Sequence, residues 1–194
     1  MNELVFLLEE ESARVMLQSL LPRILDPGIT TRFIVFEGKQ DLEKNLARKI
    51  RGYRNTRARF LILRDQDSNP NCQAVKQTLQ ALCSNAGRAA QCLVRIACRE
   101  LETFYLADLA AVDQAMGTTN LRGQQEKEKF RALDRLSSPS RELASLTNKK
   151  YQKVSGSRAI GAFLNPENPS SPSFWNLIAG IRRLERDMLV GLAS

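Results

Sequence analysis

Phe60-Leu61-Ile62-Leu63 is an unbroken apolar run that passes directly into Arg64-Asp65-Gln66-Asp67, with Ser68-Asn69-Pro70 behind it. Apolar residues without a polar alternate read as a strand covered on both faces, the pattern of a parallel sheet enclosed by helices. The chain uses the same device elsewhere. Leu4 to Leu8 runs into Glu9-Glu10-Glu11, Thr31 to Phe36 into Glu37-Gly38-Lys39, and Gln91 to Ala97 leads through Arg99 to Glu100-Leu101-Glu102. Apolar residues at helical spacing follow each strand: Ala13, Met16, Leu17, Leu20, Leu21 and Ile24 up to Pro27-Gly28; then Leu42, Leu46 and Ile50; then Val75, Leu79 and Leu82. Leu101, Tyr105, Leu109 and Val112 read as one continuous helix after the fourth strand. Strand then helix, four times over, predicts an α/β fold with a mostly parallel four-stranded sheet flanked by helices.

Such a sheet places all its carboxyl ends on one edge, where open α/β sheets bind their ligands. Glu9, the pair Asp65 and Asp67, and the pair Glu100 and Glu102 all fall there. Extended backbone sends residues i and i+2 the same way, so Asp65 and Asp67 are expected to project together. Carboxylates held that close repel one another and favour a divalent cation, Mg²⁺ or Mn²⁺. Five carboxylates are enough for one metal and could serve two at about 3.5–4 Å, orienting a phosphodiester and acidifying an attacking water. The plainer role of Glu10, Glu11, Glu100 and Glu102 is to compensate a helix dipole.

Composition narrows the chemistry. The chain has no histidine, so no Ser-His-Asp or Cys-His arrangement and no imidazole base is available. Its net charge of +8 favours a polyanionic partner. Arg48, Lys49, Arg51, Arg54, Arg57 and Arg59, with Tyr53 among them, read equally as a phosphate-contacting face or as a solvated helix end. From about residue 113 the strand–helix alternation stops. We therefore divide the chain into a core over 1–112 and a helical, basic C-terminal extension over 113–194 packed on it. Within the extension, Asn148 to Arg158 is basic and glycine-containing; Lys149, Lys150, Lys153 and Arg158 are candidate phosphate contacts, and a flexible lid would have the same composition. Ser171-Pro172 opens a last helix striped by Phe174, Leu177, Ile178, Ile181, Leu184 and Met188. No apolar run approaches the roughly 20 residues of a membrane span. The start Met1-Asn2-Glu3-Leu4 has no basic lead, and the four cysteines form no CxxC pair, so a cytoplasmic chain with reduced thiols is expected.

A glutamate closing the first strand and Asp-x-Asp closing a later one resemble the Toprim domain of topoisomerases, primases and nucleases of the overcoming-lysogenization-defect type. More closely, the chain resembles the domain-of-unknown-function family numbered 4276. The likeness rests on Phe6-Leu-Leu-Glu9 with Ser12, Ile62-Leu-Arg-Asp65-Gln-Asp67, Cys98-Arg-Glu-Leu-Glu102 with Phe104 and Leu106-Ala-Asp108, Lys149-Lys-Tyr-Gln-Lys153, and Ser171-Pro-Ser-Phe174. It implies a Toprim-like fold, metal-dependent nucleic-acid cleavage with Glu9, Asp65 and Asp67 at its centre, and an ATPase partner in phage defence. Where such domains often carry Glu-Gly, this chain has Glu9-Glu10, which leaves the register of the first acid open. Two other readings stand beside it. One is a non-catalytic nucleic-acid-binding or regulatory subunit docked on an ATPase. The other is a glycosyltransferase using Asp-x-Asp for a nucleotide sugar, which the excess of positive charge disfavours. A haloacid-dehalogenase-type phosphatase would want threonine where Asn69 stands.

Overall fold

The computed structural model describes residues 2–133 and 136–190; the remaining parts of the predicted extension, 134–135 and 191–194, lie outside them. Four strands, β1 (Glu3–Leu8), β2 (Thr30–Val35), β3 (Arg59–Asp65) and β4 (Cys92–Ala97), form one sheet in the order β2-β1-β3-β4. Every pairing is parallel, with Leu4 opposite Arg59 and Thr31, and Phe60 opposite Cys92. The helices are α1 (Glu11–Leu20), α2 (Lys39–Arg51), α3 (Cys72–Asn85), α4 (Glu102–Leu106), α5 (Leu109–Met116), α6 (Glu128–Arg131), α7 (Pro139–Leu146), α8 (Lys153–Gly161) and α9 (Pro172–Val190).

The unbroken apolar runs are explained by the two layers they feed. Leu4, Phe6, Leu8, Leu61, Leu63 and Leu93 enter one core with residues of α1, α4, α5 and α7 to α9. Val5, Leu7, Phe60, Ile62 and Val94 enter the other with Leu42, Leu46 and Ile50 of α2 and Leu79 and Cys83 of α3. Alternate residues thus serve opposite faces, and both faces are covered. Leu143, Ile160, Phe174 and Met188 from beyond residue 113 lie in the same core as Leu4 and Phe6. All four cysteines are free, and among the described residues no helix is long and apolar enough to cross a membrane.

Three local features depart from the sequence reading. The first helix ends at Leu20 and continues through Leu21–Arg23 as a 3₁₀ turn, with Pro22 at its start. The helix expected over Leu101 to Val112 is two, because Asp108 caps α5 by accepting from the Ala111 N–H and also takes the Asn165 N–H at 2.8 Å. The basic stretch compatible with a lid is largely α8, which packs along α1. A Cβ built on Gly161 would lie 2.6 Å from the Met16 carbonyl oxygen, so the two helices meet there backbone to backbone.

Sequence adjacency also misleads about the block from Arg48 to Arg59. It immediately precedes β3, yet α2 runs back against the strands and the block lies at the amino edge, opposite the end where β3 delivers Asp65. Arg51 donates to the Asn85 carbonyl at the end of α3, and Asn55 to Glu3 at the start of β1.

Candidate active site

Glu9 follows β1 directly, and its backbone is fixed from both sides: its N–H donates to the Leu63 carbonyl, and its carbonyl accepts from the Gly38 N–H at 3.1 Å. The side chain returns to β3, where Oε2 accepts the Asp65 N–H at 3.1 Å and faces Arg64 Nε at 3.9 Å. Burial raises the Glu9 pKa; the Asp65 N–H and Arg64 oppose it, while the charges of Asp67 and Glu10 add to it.

Asp65 closes β3. Some of its surface reaches solvent, but its carboxyl is enclosed. Burial holds its pKa well above the usual carboxylate range, and Glu10, Glu102 and Glu9 push the same way against a hydrogen bond from the Leu101 backbone. Asp67 does not share that direction. The strand ends at Asp65, and Asp67 has φ +56°, so the period-two argument stops one residue short of it. Its N–H donates to the Arg99 carbonyl at 2.8 Å, and Arg99 is itself left-handed at φ +64°. Two non-glycine residues in that region, tied to each other, store strain where β3 and β4 end. The Asp67 carboxylate then turns to Lys39 Nζ, 3.2 Å away at the start of α2. Glu9 thus stands between two aspartates, each within its electrostatic reach.

Glu102, on the first turn of α4, is 1% exposed and accepts the Tyr151 hydroxyl hydrogen at 2.9 Å. Burial raises its pKa and that hydrogen bond opposes the rise. Glu100 turns elsewhere, its Oε2 taking the Ser140 N–H at 2.7 Å at the start of α7. Glu10 contributes more than dipole compensation: it pairs with Lys153, the first residue of α8, and accepts from Ser12 Oγ. Burial works against the charge of Lys153, but its hydrogen bond to Glu10 and the charges of Glu10, Glu102 and Asp65 outweigh that and raise its pKa. Glu11 pairs with Arg14 on its own helix. The register left open by the triple acid is therefore resolved: Glu9 and Glu10 face the site and Glu11 does not.

Tyr105 is fully buried, and its hydroxyl points towards Ser157, Glu102, Glu10 and Asp65 without a hydrogen bond of good geometry. Lys149 and Lys150 lie exposed on the turn between α7 and α8, and Arg158 is exposed on α8. Beside Asp67 a polar cavity of about 500 Å³ is lined by Lys39, Asp67, Ser68, Arg99, Glu100 and Ser137. An apolar hollow of about 370 Å³ near Leu21, Leu25 and Phe33 lies by the start of β2, remote from this chemistry.

The edge thus has an inner cluster of Glu9, Glu10, Asp65 and Glu102 and an outer pair, Asp67 and Glu100. Each acid takes a donor from the protein: the Asp65 N–H, Lys153, the Leu101 N–H, Tyr151, Lys39 and the Ser140 N–H respectively. Among the described residues no three of these acids are gathered closely enough to close on one ion. Their chemistry nonetheless fits a hard divalent cation, because the donors are carboxylate oxygens and Asp65 is raised by three like charges that such a cation would relieve. Sequence reasoning gave Glu10 a helix-dipole role and an open register, and gave no site role to Lys39, Arg64, Tyr105 or Tyr151; of these four only Tyr151, an aromatic within the basic run 148–158, carried a local signal. Tyr151→Phe removes the donor to a buried carboxylate and is expected to cost on the order of 1.5–3 kcal/mol. Urea unfolding would record this, and an unchanged midpoint would mean that Glu102 finds another donor.

The family described as Domain of unknown function (DUF4276) matches residues 8–182. The solved C-terminal region of the Burkholderia pseudomallei OLD protein is similar in fold at a TM-score of 0.53 and 14% identity, over 93% of this chain and 97% of that one. No curated protein matches the chain. The strand order, the acids at the sheet's carboxyl edge and that likeness give a Toprim-like fold. With the family match running from the last residue of β1 into α9, the chain belongs to the DUF4276 family.

Proposed function

We propose that the protein is a Mg²⁺-dependent nuclease hydrolysing phosphodiester bonds, and that it serves phage defence beside an ATPase partner. The observation that carries this reading is the delivery of Glu9, Asp65 and Glu102 to one edge by the ends of β1 and β3 and the first turn of α4, with the Asp65 carboxyl enclosed beside the charges of the other two. The fold shared with the OLD C-terminal region supports it. Glu9 and Asp65 would hold Mg²⁺ or Mn²⁺, joined by Asp67 once its carboxylate turns from Lys39, and Glu100 and Glu102 would hold a second ion or orient the first. Such an ion supplies Lewis-acid stabilisation of the phosphodiester's developing charge and acidifies water.

The chain's own residues supply the rest. Glu9 would alternatively serve as general base in place of ligand: Oε2 is occupied by the Asp65 N–H, which leaves Oε1 to take a proton from an attacking water, and a raised pKa suits that task. Lys153 faces the inner acids and would neutralise a phosphate oxygen once drawn from Glu10. Lys149, Lys150 and Arg158 would contact the phosphates of flanking nucleotides. The polar cavity beside Asp67 offers room for the cleaved strand.

Asp65→Ala combined with Asp67→Ala is expected to abolish Mg²⁺- or Mn²⁺-dependent cleavage of plasmid DNA and of RNA. Unchanged cleavage by the double variant would sink the assignment. A non-catalytic regulatory subunit is the second reading, favoured by the finding that each acid is already matched by a donor from the protein. It predicts co-purification of an ATPase with no metal-dependent cleavage.

A further inference from the structure

Between Lys44 and Arg64 the sequence has eight Lys and Arg residues and no Asp or Glu, so this one stretch equals the net charge of +8 and the rest of the chain sums to zero. Arg64 is consumed at the acid edge by Glu43 and Glu9. Lys44 lies midway along α2, and the other six gather at the amino edge, on the last turn of α2, the connection 52–58 and the first residue of β3. Compensation of the α2 carboxyl terminus accounts for Arg48, Lys49 and Arg51 in its last turn. It does not account for Arg54, Arg57 and Arg59, which lie beyond the helix.

Hydrogen bonds make this face a built surface. Arg88 donates to the carbonyls of Tyr53 at 2.8 Å and Asn55 at 3.3 Å, and Gln91 to those of Thr56 at 2.6 Å and Ala58 at 3.2 Å. The connection is thereby fastened to the start of β4, and Tyr53 packs edge-on against Phe60 beneath it. Arg54 and Arg57 are exposed upon this scaffold. Among the described residues, none of Arg48, Lys49, Arg51, Arg54, Arg57, Arg59 and Arg88 forms an ion pair with an acid. Glu3, the acid beside them, is committed to Arg32, Asn55 and Tyr53. Cations fixed on a rigid connection without acid partners gain most by exchanging counterions for phosphates.

We propose that this amino-edge face is a second nucleic-acid-binding surface, separate from the acid edge and contacting the phosphate backbone irrespective of sequence. It rests on the reading of the protein as one that acts on nucleic acid, and not on cleavage. The length of β3, about 20 Å at roughly 3.3 Å per residue, separates the two edges. A nucleic acid held here therefore places its cleavable segment at the acids only by passing round the domain, or is a segment distinct from the one cleaved.

The test measures binding of a labelled DNA duplex by fluorescence anisotropy over a salt series in EDTA, where cleavage plays no part. Arg54→Gln with Arg57→Gln is compared with Arg122→Gln and Lys127→Gln, a pair of exposed cations in the C-terminal region that changes net charge equally. Removing two phosphate contacts should reduce the salt slope by about 1.8 and weaken binding roughly 60-fold at ~0.1 M salt. The control pair should leave the slope within about half a unit of the wild-type value, less than one phosphate contact contributes. Equal slopes and affinities for the two variants overturn the proposal, as does absence of wild-type binding. Loss of cleavage in the Asp65 and Asp67 double variant with EDTA binding intact would leave it standing.

Discussion

Replacing Asp65 by asparagine is expected to abolish metal-dependent cleavage while raising the thermal stability of the metal-free protein. The carboxyl is enclosed among Glu9, Glu10 and Glu102, and its raised pKa means that the folded chain holds the Asp65 proton more tightly than the unfolded chain does. The sign of the pH dependence follows. Below the unfolded pKa, near 3.9, both states are protonated and Asp65 brings no penalty. As pH rises from there through the elevated folded pKa the penalty builds, and above it the penalty is complete. Asparagine keeps the shape and an oxygen to accept the Leu101 N–H but carries no charge. The gain should be about 1–2 kcal/mol at neutral pH, in the range for relaxing a strained functional residue. That corresponds to about 2–8 °C for a chain of this length. It should shrink towards zero as the pH approaches 4. Melting curves in EDTA across a pH series would measure it, alongside cleavage in Mg²⁺ reduced by at least ~10³-fold, in line with loss of a principal catalytic electrostatic group. An Asp65→Asn protein that is less stable at pH 7 and equally active would contradict both halves.

Gly161→Val should act in the opposite sense on stability. The added Cβ meets backbone of α1 at 2.6 Å from the Met16 oxygen and 3.0 Å from its Cα, and neither can turn aside as a side-chain end could. Separating α8 from α1 disturbs Ile160 and Met16 in the shared core. Destabilisation of about 3 kcal/mol or more is expected, at the upper end of the overpacking range. The same displacement carries Lys153 from Glu10 and Tyr151 from Glu102, so cleavage should fall even under conditions where the variant remains folded. Urea unfolding together with single-turnover cleavage at low temperature separates the two effects. A wild-type unfolding midpoint would refute the backbone contact.

The framework was legible because the two layers are written locally. Phe60 and Ile62 serve one face, Leu61 and Leu63 the other, and the acids follow where the run stops. The site was legible only as far as strand ends reach. That Asp67 departs from Asp65 depends on a left-handed turn stabilised by the Arg99 carbonyl, a partner 32 residues further on. Glu10 reads locally as a dipole-compensating acid, and its counter-charge Lys153 is 143 residues away. The Tyr151–Glu102 bond spans 49 residues. Side chains whose roles are fixed by distant partners leave no periodic trace in their own neighbourhood.

The same separations govern how the molecule comes to exist. Each strand pairing is parallel and spans a crossover helix or a longer excursion, so the sheet offers no hairpin from which to grow. The ends of the described chain also meet, with the Asn2 side chain donating to the Met188 carbonyl at 3.0 Å. Such a topology folds by closing long loops before long-range contacts repay the entropy, which places its folding in the slow part of the range for domains. During synthesis the acids of β1, β3 and α4 leave the ribosome well before Lys153 and Tyr151. The carboxyl edge therefore passes through a stage in which its repulsion is answered neither by α8 nor by the tyrosine donor, and the chain is most exposed to misassembly in that interval.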